Sequence, residues 1–183
     1  MSDMLKHYNE NVVSALKESL GLTNKHQVPQ LLKIVVSTGI GTGKERDAFA
    51  DAKEQITKFT GQQPVIVNSK KNVASFKLRI GTPVGIMVTL RKSRMYEFMD
   101  RLVHNALPRV RDFRGISPKG FDGSGNYNMG LDDVSVFTEI DLDKVKYQLG
   151  INISFVTTAK TDEAGLALLK LMDMPFADTD KQD

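Results

Sequence analysis

Two stretches of this chain place apolar side chains at every second position. Val84, Ile86, Val88 and Leu90 alternate with Gly85, Met87 and Thr89, and Leu149, Ile151, Ile153 and Phe155 alternate with Gly150, Asn152 and Ser154. A period of two is that of a strand with one face buried, so the chain must build a sheet covered on one side only. The covering elements are legible from the other period. Leu5, Tyr8, Val12, Leu16 and Leu20, stopped by Gly21, predict a helix over 3–20; Phe49, Ala52, Ile56 and Phe59 predict a second that ends at Gly61. Met95, Phe98 or Met99, Leu102 and Ala106 predict a third, capped by Ser93 and ended near Pro108, and Leu166, Leu169 and Met172 a fourth, capped by Thr161 or Asp162 and stopped by Pro175.

Shorter β-branched runs at Leu31 to Thr38, Pro64 to Asn68 and Val134 to Phe137 complete the strands, while 109–130, with five glycines and little periodicity, reads as an extended functional loop. From the first strand onward the order is β-α-β-β-α-β. The expected class is therefore α+β, a ferredoxin-like antiparallel sheet backed by helices, with an added N-terminal helix and a C-terminal strand and helix. At 183 residues, 40% of them apolar, the chain suits one domain over 1–176, followed by a mobile acidic tail at 177–183. It has no cysteine, no basic-then-apolar start and no long apolar run, so the expectation is a cytoplasmic protein with no membrane partner.

Net charge is only +3, but it is unevenly spread. Residues 68–120 carry 12 basic and 3 acidic groups, whereas 131–183 carry 5 and 11. A field concentrated in this way attracts a polyanion, because neutralising phosphates releases condensed counterions. Within the basic third, Ser69 to Arg94 holds Lys70, Lys71, Lys77, Arg79, Arg91, Lys92 and Arg94 without one acid, interleaved with Asn72 and Phe76. Lysine and arginine suit phosphates, and Asn72 or Phe76 suits a base or ribose. Arg109, Arg111 and Arg114, around Phe113, form a second basic string. Exposed aromatics of the kind that stack bases on an RNA-recognition-motif sheet are missing from Gly85 to Leu90, which favours recognition of backbone shape and phosphate.

Other chemistries fail on spacing. The string Thr38-Gly39-Ile40-Gly41-Thr42-Gly43-Lys44-Glu45 has Thr38 where a phosphate-binding loop needs glycine and Glu45 where it needs serine or threonine. His7, His26 and His104 stand at no metal-ligand spacing, and the Gly-x-Ser-x-Gly elbow of a serine hydrolase is absent. Asp132/Asp133 and Asp141/Asp143 have no companion base. Neither a cofactor nor a catalytic set is expected, and the remaining alternative from another class is a metabolite-binding regulatory domain of ferredoxin-like topology, which the clustered charge disfavours.

Several rare strings then agree in register. Lys70-Lys-Asn-Val-Ala-Ser-Phe-Lys-Leu-Arg-Ile-Gly-Thr-Pro-Val-Gly85, Val88-Thr-Leu-Arg91, Arg109-Val-Arg-Asp-Phe-Arg-Gly115, Phe121-Asp-Gly-Ser-Gly-Asn-Tyr-Asn-Met-Gly130, Thr157-Thr-Ala-Lys-Thr-Asp-Glu163 and Met-Pro-Phe176 resemble the ribosomal large-subunit protein five family of the bacterial and organellar type, in order from Tyr8 to Phe176. The resemblance implies a structural protein of the central protuberance whose sheet face binds 5S ribosomal RNA (rRNA) through Lys33, Ser37, Thr38, Gly39, Gln62, Thr89 and Arg91. It implies a basic loop, Lys71 to Thr82, that together with the adjoining Lys70 contacts peptidyl-site transfer RNA (tRNA) through Lys70, Lys71, Asn72, Phe76, Lys77 and Arg79; a loop so charged is expected to be unordered without its partner. It further implies that Arg109, Arg111, Arg114, Asn126 and Tyr127 face large-subunit rRNA, neighbouring large-subunit proteins and a small-subunit head protein. Three positions depart from the family pattern: Ser37-Thr38-Gly39 stands for Asn-Met-Gly, Ser124 for the usual arginine, and Thr138 for a common proline.

Overall fold

The computed structural model describes residues 3–41, 46–141, 147 and 149–177. Residues 42–45 of the glycine string, Asp143 and, apart from Ala177, the acidic tail lie outside that description. The first predicted helix is present as α1 (Asp3–His7) and α2 (Val13–Ser19), joined by a π-helical turn at Tyr8–Val12. Then follow β1 (Leu31–Gly39), α3 (Arg46–Thr60), β2 (Val65–Asn68), β3 (Pro83–Leu90), α4 (Lys92–Arg101), β4 (Tyr127–Leu131), β5 (Ile151–Thr157) and α5 (Asp162–Leu171). The expected α+β class and β-α-β-β-α-β order hold, in one five-stranded antiparallel sheet of order β2-β3-β1-β5-β4. The neighbour of β1 opposite β3 is therefore β5, and β4 is an edge.

Three local expectations are corrected. Val134 to Phe137 is not a strand: Val134–Val136 forms a 3-10 turn, because the Asp133 carboxylate accepts from Ser135 N at 2.9 Å and starts a tight turn instead. The sixth element is β4, within the stretch expected to be loop. Finally, α4 is preceded by Arg91 rather than capped by Ser93, and Lys92 enters it with φ at +55°.

The chain divides into two compact units, and the division falls within β1, β4 and β5. The first comprises residues 1–34, 91–129 and 154–183, and the second 35–90 and 130–153. In the first unit, Met4, Tyr8, Val12 and Leu16 are buried, as are Met95, Tyr96, Met99 and Leu102 of α4 and its extension. The Tyr8 and Tyr96 rings lie 6.1 Å apart, and the Tyr8 hydroxyl donates to Pro29 O at 3.0 Å. Burial, and to a lesser degree Tyr96, pushes the Tyr8 phenol up to about 12. In the second unit α3 lays Ala52, Ile56 and Phe59 on the β3 side carrying Ile86, Val88 and Leu90, with Phe59 stacked on Phe137 at 4.4 Å. Among the described residues no helix is long and apolar enough to cross a membrane.

Candidate nucleic-acid interface

Alternation sets the sheet face that the helices leave open. Along β1, Ile34, Val36 and Thr38 are buried while Lys33, Val35 and Ser37 between them are half-buried; along β3, Ile86, Val88 and Leu90 are buried while Met87 and Thr89 face the other way. Within the second unit the open face thus offers Ser37, Gly39 and Thr89, and the register sets Val65 opposite Met87 and Val67 opposite Gly85. It is small, polar and aliphatic, and carries no charge at these positions. Lys33, two residues before Val35 on the same strand, and Arg91, next after β3, belong to the first unit.

Two residues expected on this face do something else. Thr38 is buried and its hydroxyl donates to Gly150 O at 2.7 Å, which makes its side chain part of the fold's internal bonding. Gln62 is half-buried and its amide donates to Thr89 O at 3.1 Å, so it ties the start of β2 to β3. What sequence reasoning missed is the exposure of Val65 (65%), Ile66, Val67 and Met87. An unbroken apolar run such as Pro64 to Val67 reads as a buried strand, and nothing in it signals the sheet edge.

The basic loop between β2 and β3 forms a hydrogen-bonded hairpin. Ser69 N donates to Thr82 O at 2.8 Å and Gly81 N to Ser69 O at 3.0 Å; Val73 and Leu78 exchange both backbone bonds at 3.0 Å. The hairpin closes on a 3-10 turn, Ala74–Phe76, followed by Lys77 in the left-handed conformation, φ 52° and ψ 36°. Lys70, Lys71, Lys77 and Arg79 are all exposed, as are Phe76 (69%) and Ile80 (64%). Asn72 is not simply presented outward: its side-chain carbonyl accepts from Ile80 N at 2.7 Å. A cleft of about 810 Å³ is lined by Asn72, Ala74, Lys77, Leu78, Arg79 and Ile80.

In the first unit, Arg109, Arg111 and Arg114 are exposed and surround Asp112, whose φ is +53°. Asn126 and Tyr127, expected as contact residues, are held inside the loop instead. Asp122 accepts from Ser124 N at 2.9 Å, Asn126 N at 3.1 Å and the Asn126 amide at 2.8 Å, while Asn126 Oδ1 accepts from Thr157 N at 3.1 Å. The Asn126 side chain, then the Ser124 backbone, hold the Asp122 carboxyl below its ordinary range. Asp162, at the start of α5, accepts from Gly123 N and Gly125 N at 3.1 and 2.9 Å. Tyr127 is buried against Phe121 and Phe176, and its hydroxyl donates to Ser117 O at 2.7 Å. The loop is internally hydrogen-bonded, and its exposed side chains include the three arginines, Lys119, Ser124 and Asn128.

Comparison with known proteins points to one family. Residues 24–79 match the family described as Ribosomal protein L5, and residues 83–176 the ribosomal L5P family C-terminus. The Large ribosomal subunit protein uL5 of a Synechococcus strain is 54% identical over 171 residues, 93% of this chain and 95% of that protein. Its counterpart from Microcystis aeruginosa is 52% identical over 178 residues, 96% and 99% of the two chains, and that of Flavobacterium johnsoniae 54% identical over 172, 93% and 94%.

Proposed function

The chain belongs to the ribosomal protein L5 family and is a structural, non-enzymatic constituent of the large ribosomal subunit; from this premise we propose that it binds 5S rRNA in the central protuberance and touches peptidyl-site tRNA with its basic loop. The observation that carries the reading is the loop itself: four exposed cations, Lys70, Lys71, Lys77 and Arg79, on one hydrogen-bonded hairpin with no acid from Ser69 to Arg94. Such a projection holds phosphates electrostatically and needs no base-specific reading.

The sheet face supports a different kind of contact. Ser37 and Thr89 supply hydroxyls, Gly39 allows close backbone approach, and Val65, Val67 and Met87 give aliphatic area for riboses or base edges. Gln62 supports that face through Thr89 O, and Lys33 and Arg91, which belong to the first unit, supply phosphate contacts of their own. Arg109, Arg111 and Arg114 provide the third contact, toward neighbouring rRNA and a small-subunit head protein. The resulting partners are 5S rRNA, large-subunit rRNA, peptidyl-site tRNA and adjacent ribosomal proteins.

The test is a mobility-shift titration of the full chain with transcribed 5S rRNA and with a length-matched control RNA, each across a salt series. The proposal expects selective binding to 5S rRNA whose affinity falls with salt by no more than the few cations beside the sheet face account for. Equal affinity for both RNAs would reduce the protein to a generic basic domain and overturn it.

A further inference from the structure

Asn72 stands in the middle of the most basic segment, where its residue type suggests a contact with a base or ribose. Its geometry suggests another task. The hairpin from Ser69 to Thr82 has an outer set of backbone bonds, linking Ser69 with Gly81 and Thr82, and an inner pair, linking Val73 with Leu78. Between them lies Ile80 N, which is met by the Asn72 side-chain carbonyl at 2.7 Å across eight residues. An exposed backbone amide satisfied by a side chain is a fixed point in a segment whose Lys77, Arg79 and Ile80 are all exposed and contribute little core. Further braces are also local: Ser69 Oγ donates to Lys71 O at 2.8 Å, Thr82 N to Arg79 O at 3.1 Å, and Lys77 N to Ala74 O at 3.0 Å.

We infer that Asn72 is a positioning residue, whose side-chain carbonyl locks the basic loop into its RNA-competent shape before any RNA arrives; the inference rests on the proposed contact between this loop and tRNA. Preorganisation acts by removing the ordering cost that a loose loop meets on binding. Lys77 and Arg79 precede the locked residue on the same arm of the hairpin, so the lock determines where two of the four cations point. The role requires only an acceptor at position 72, which separates it from a base contact made by the amide N–H groups.

The experiment has two arms on the full chain. Amide exchange of Ile80 N–H is measured in the free protein, and the dissociation of peptidyl-site tRNA from ribosomes assembled with each variant is followed across a salt series. Asn72→Ala should speed exchange at Ile80 by about tenfold, the equivalent of one net hydrogen bond, while Asn72→Asp, which keeps the acceptor, should retain the protection. Asn72→Ala should also speed tRNA release by a factor that is the same at every salt concentration, because no charge is removed, whereas Lys77→Ala should flatten the salt dependence. Unchanged exchange at Ile80 in Asn72→Ala, or faster tRNA release without faster exchange, overturns the positioning role. If Lys77→Ala and Arg79→Ala leave tRNA release unchanged while Ile80 behaves as expected, the lock stands and the tRNA reading of the loop falls instead.

Discussion

Residue types alone advertise contacts, and the structure decides which side chains are at liberty to make them. Asn72, Thr38, Asn126 and Tyr127 all have the chemistry of RNA-facing groups, yet each has at least one side-chain polar atom engaged with backbone or side chain of its own unit. The sequence carries no sign of this, because an internal bond and an external one use the same atoms. The exposed cations are legible because charge is costly to bury and so is found at the surface. Lys77 joins both themes: it is an exposed cation held at φ 52°, a conformation that costs a residue with a Cβ about 1 kcal/mol and that asparagine tolerates better. Lys77→Asn and Lys77→Ala remove the same charge, and the asparagine variant should be more stable by roughly 0.5 kcal/mol in urea denaturation; equal midpoints would show that the left-handed backbone is not maintained. Tyr127→Phe should cost about 1 kcal/mol through removal of the bond to Ser117 O. Burial pushes the Tyr127 phenol up to about 12 from 10.0, so the neutral form is the one favoured by folding. That contribution is whole below pH 10 and disappears as the pH rises toward 12. Base titration of wild type and Tyr127→Phe should therefore converge in stability over that window.

At the scale of elements, the long periodic segments are legible in the sequence and the short ones are not. A helix such as α3 repeats its apolar spacing over 15 residues, whereas β4 is five residues, Tyr-Asn-Met-Gly-Leu, whose alternation of Tyr127, Met129 and Leu131 is short and set among loop glycines, so that its place beside β5 completes it as a strand. Val134 to Phe137 has the propensity but is diverted by the Asp133 turn. The 121–126 loop shows how such segments are fixed. A Cβ at Gly165 of α5 would lie 2.6 Å from Gly125 O, and one at Gly125, where φ is +77°, would lie 2.7 Å from Ala159 Cβ. Alanine in a helix normally gains about 1 kcal/mol over glycine. Gly165→Ala should do the opposite and destabilise by about 1–3 kcal/mol, because the atom it meets is backbone; a rise in melting temperature would show that the loop does not pack on α5 as described. Acid should loosen the same loop. The Asp122 carboxyl is held below 3.8, so its stabilising effect is present above that value and disappears as the pH falls through the lowered one. Exchange at Ser124 N and Asn126 N should quicken there, and Asp122→Asn should abolish the pH dependence.

For the molecule as a whole, the distribution of charge separates surfaces that a single net value conceals. The overall +3 is the residue of a basic middle third and an acidic last third, and the most basic part of the chain projects as a hairpin rather than lining the sheet. A protein that met all its RNA by one electrostatic mechanism would release every RNA together when the hairpin is neutralised. Two mechanisms on two surfaces predict a dissociation of effects. Replacing Lys70, Lys71, Lys77 and Arg79 by alanine should lower the salt slope of tRNA association by about one unit for each phosphate no longer neutralised, and should leave 5S rRNA affinity within about twofold of wild type because the sheet face is untouched. Thr89→Glu introduces an anion on the open face, two residues along β3 from Met87 and toward the end of the strand away from the hairpin, at a half-buried position from which a longer side chain reaches solvent. It should weaken 5S rRNA binding by at least about tenfold, because the carboxylate repels phosphate and the hydroxyl that would bond the RNA is gone, with an unchanged melting curve. Parallel weakening toward both RNAs in either variant would mean that hairpin and sheet form one binding surface, and would replace the two-mechanism account with a single electrostatic one.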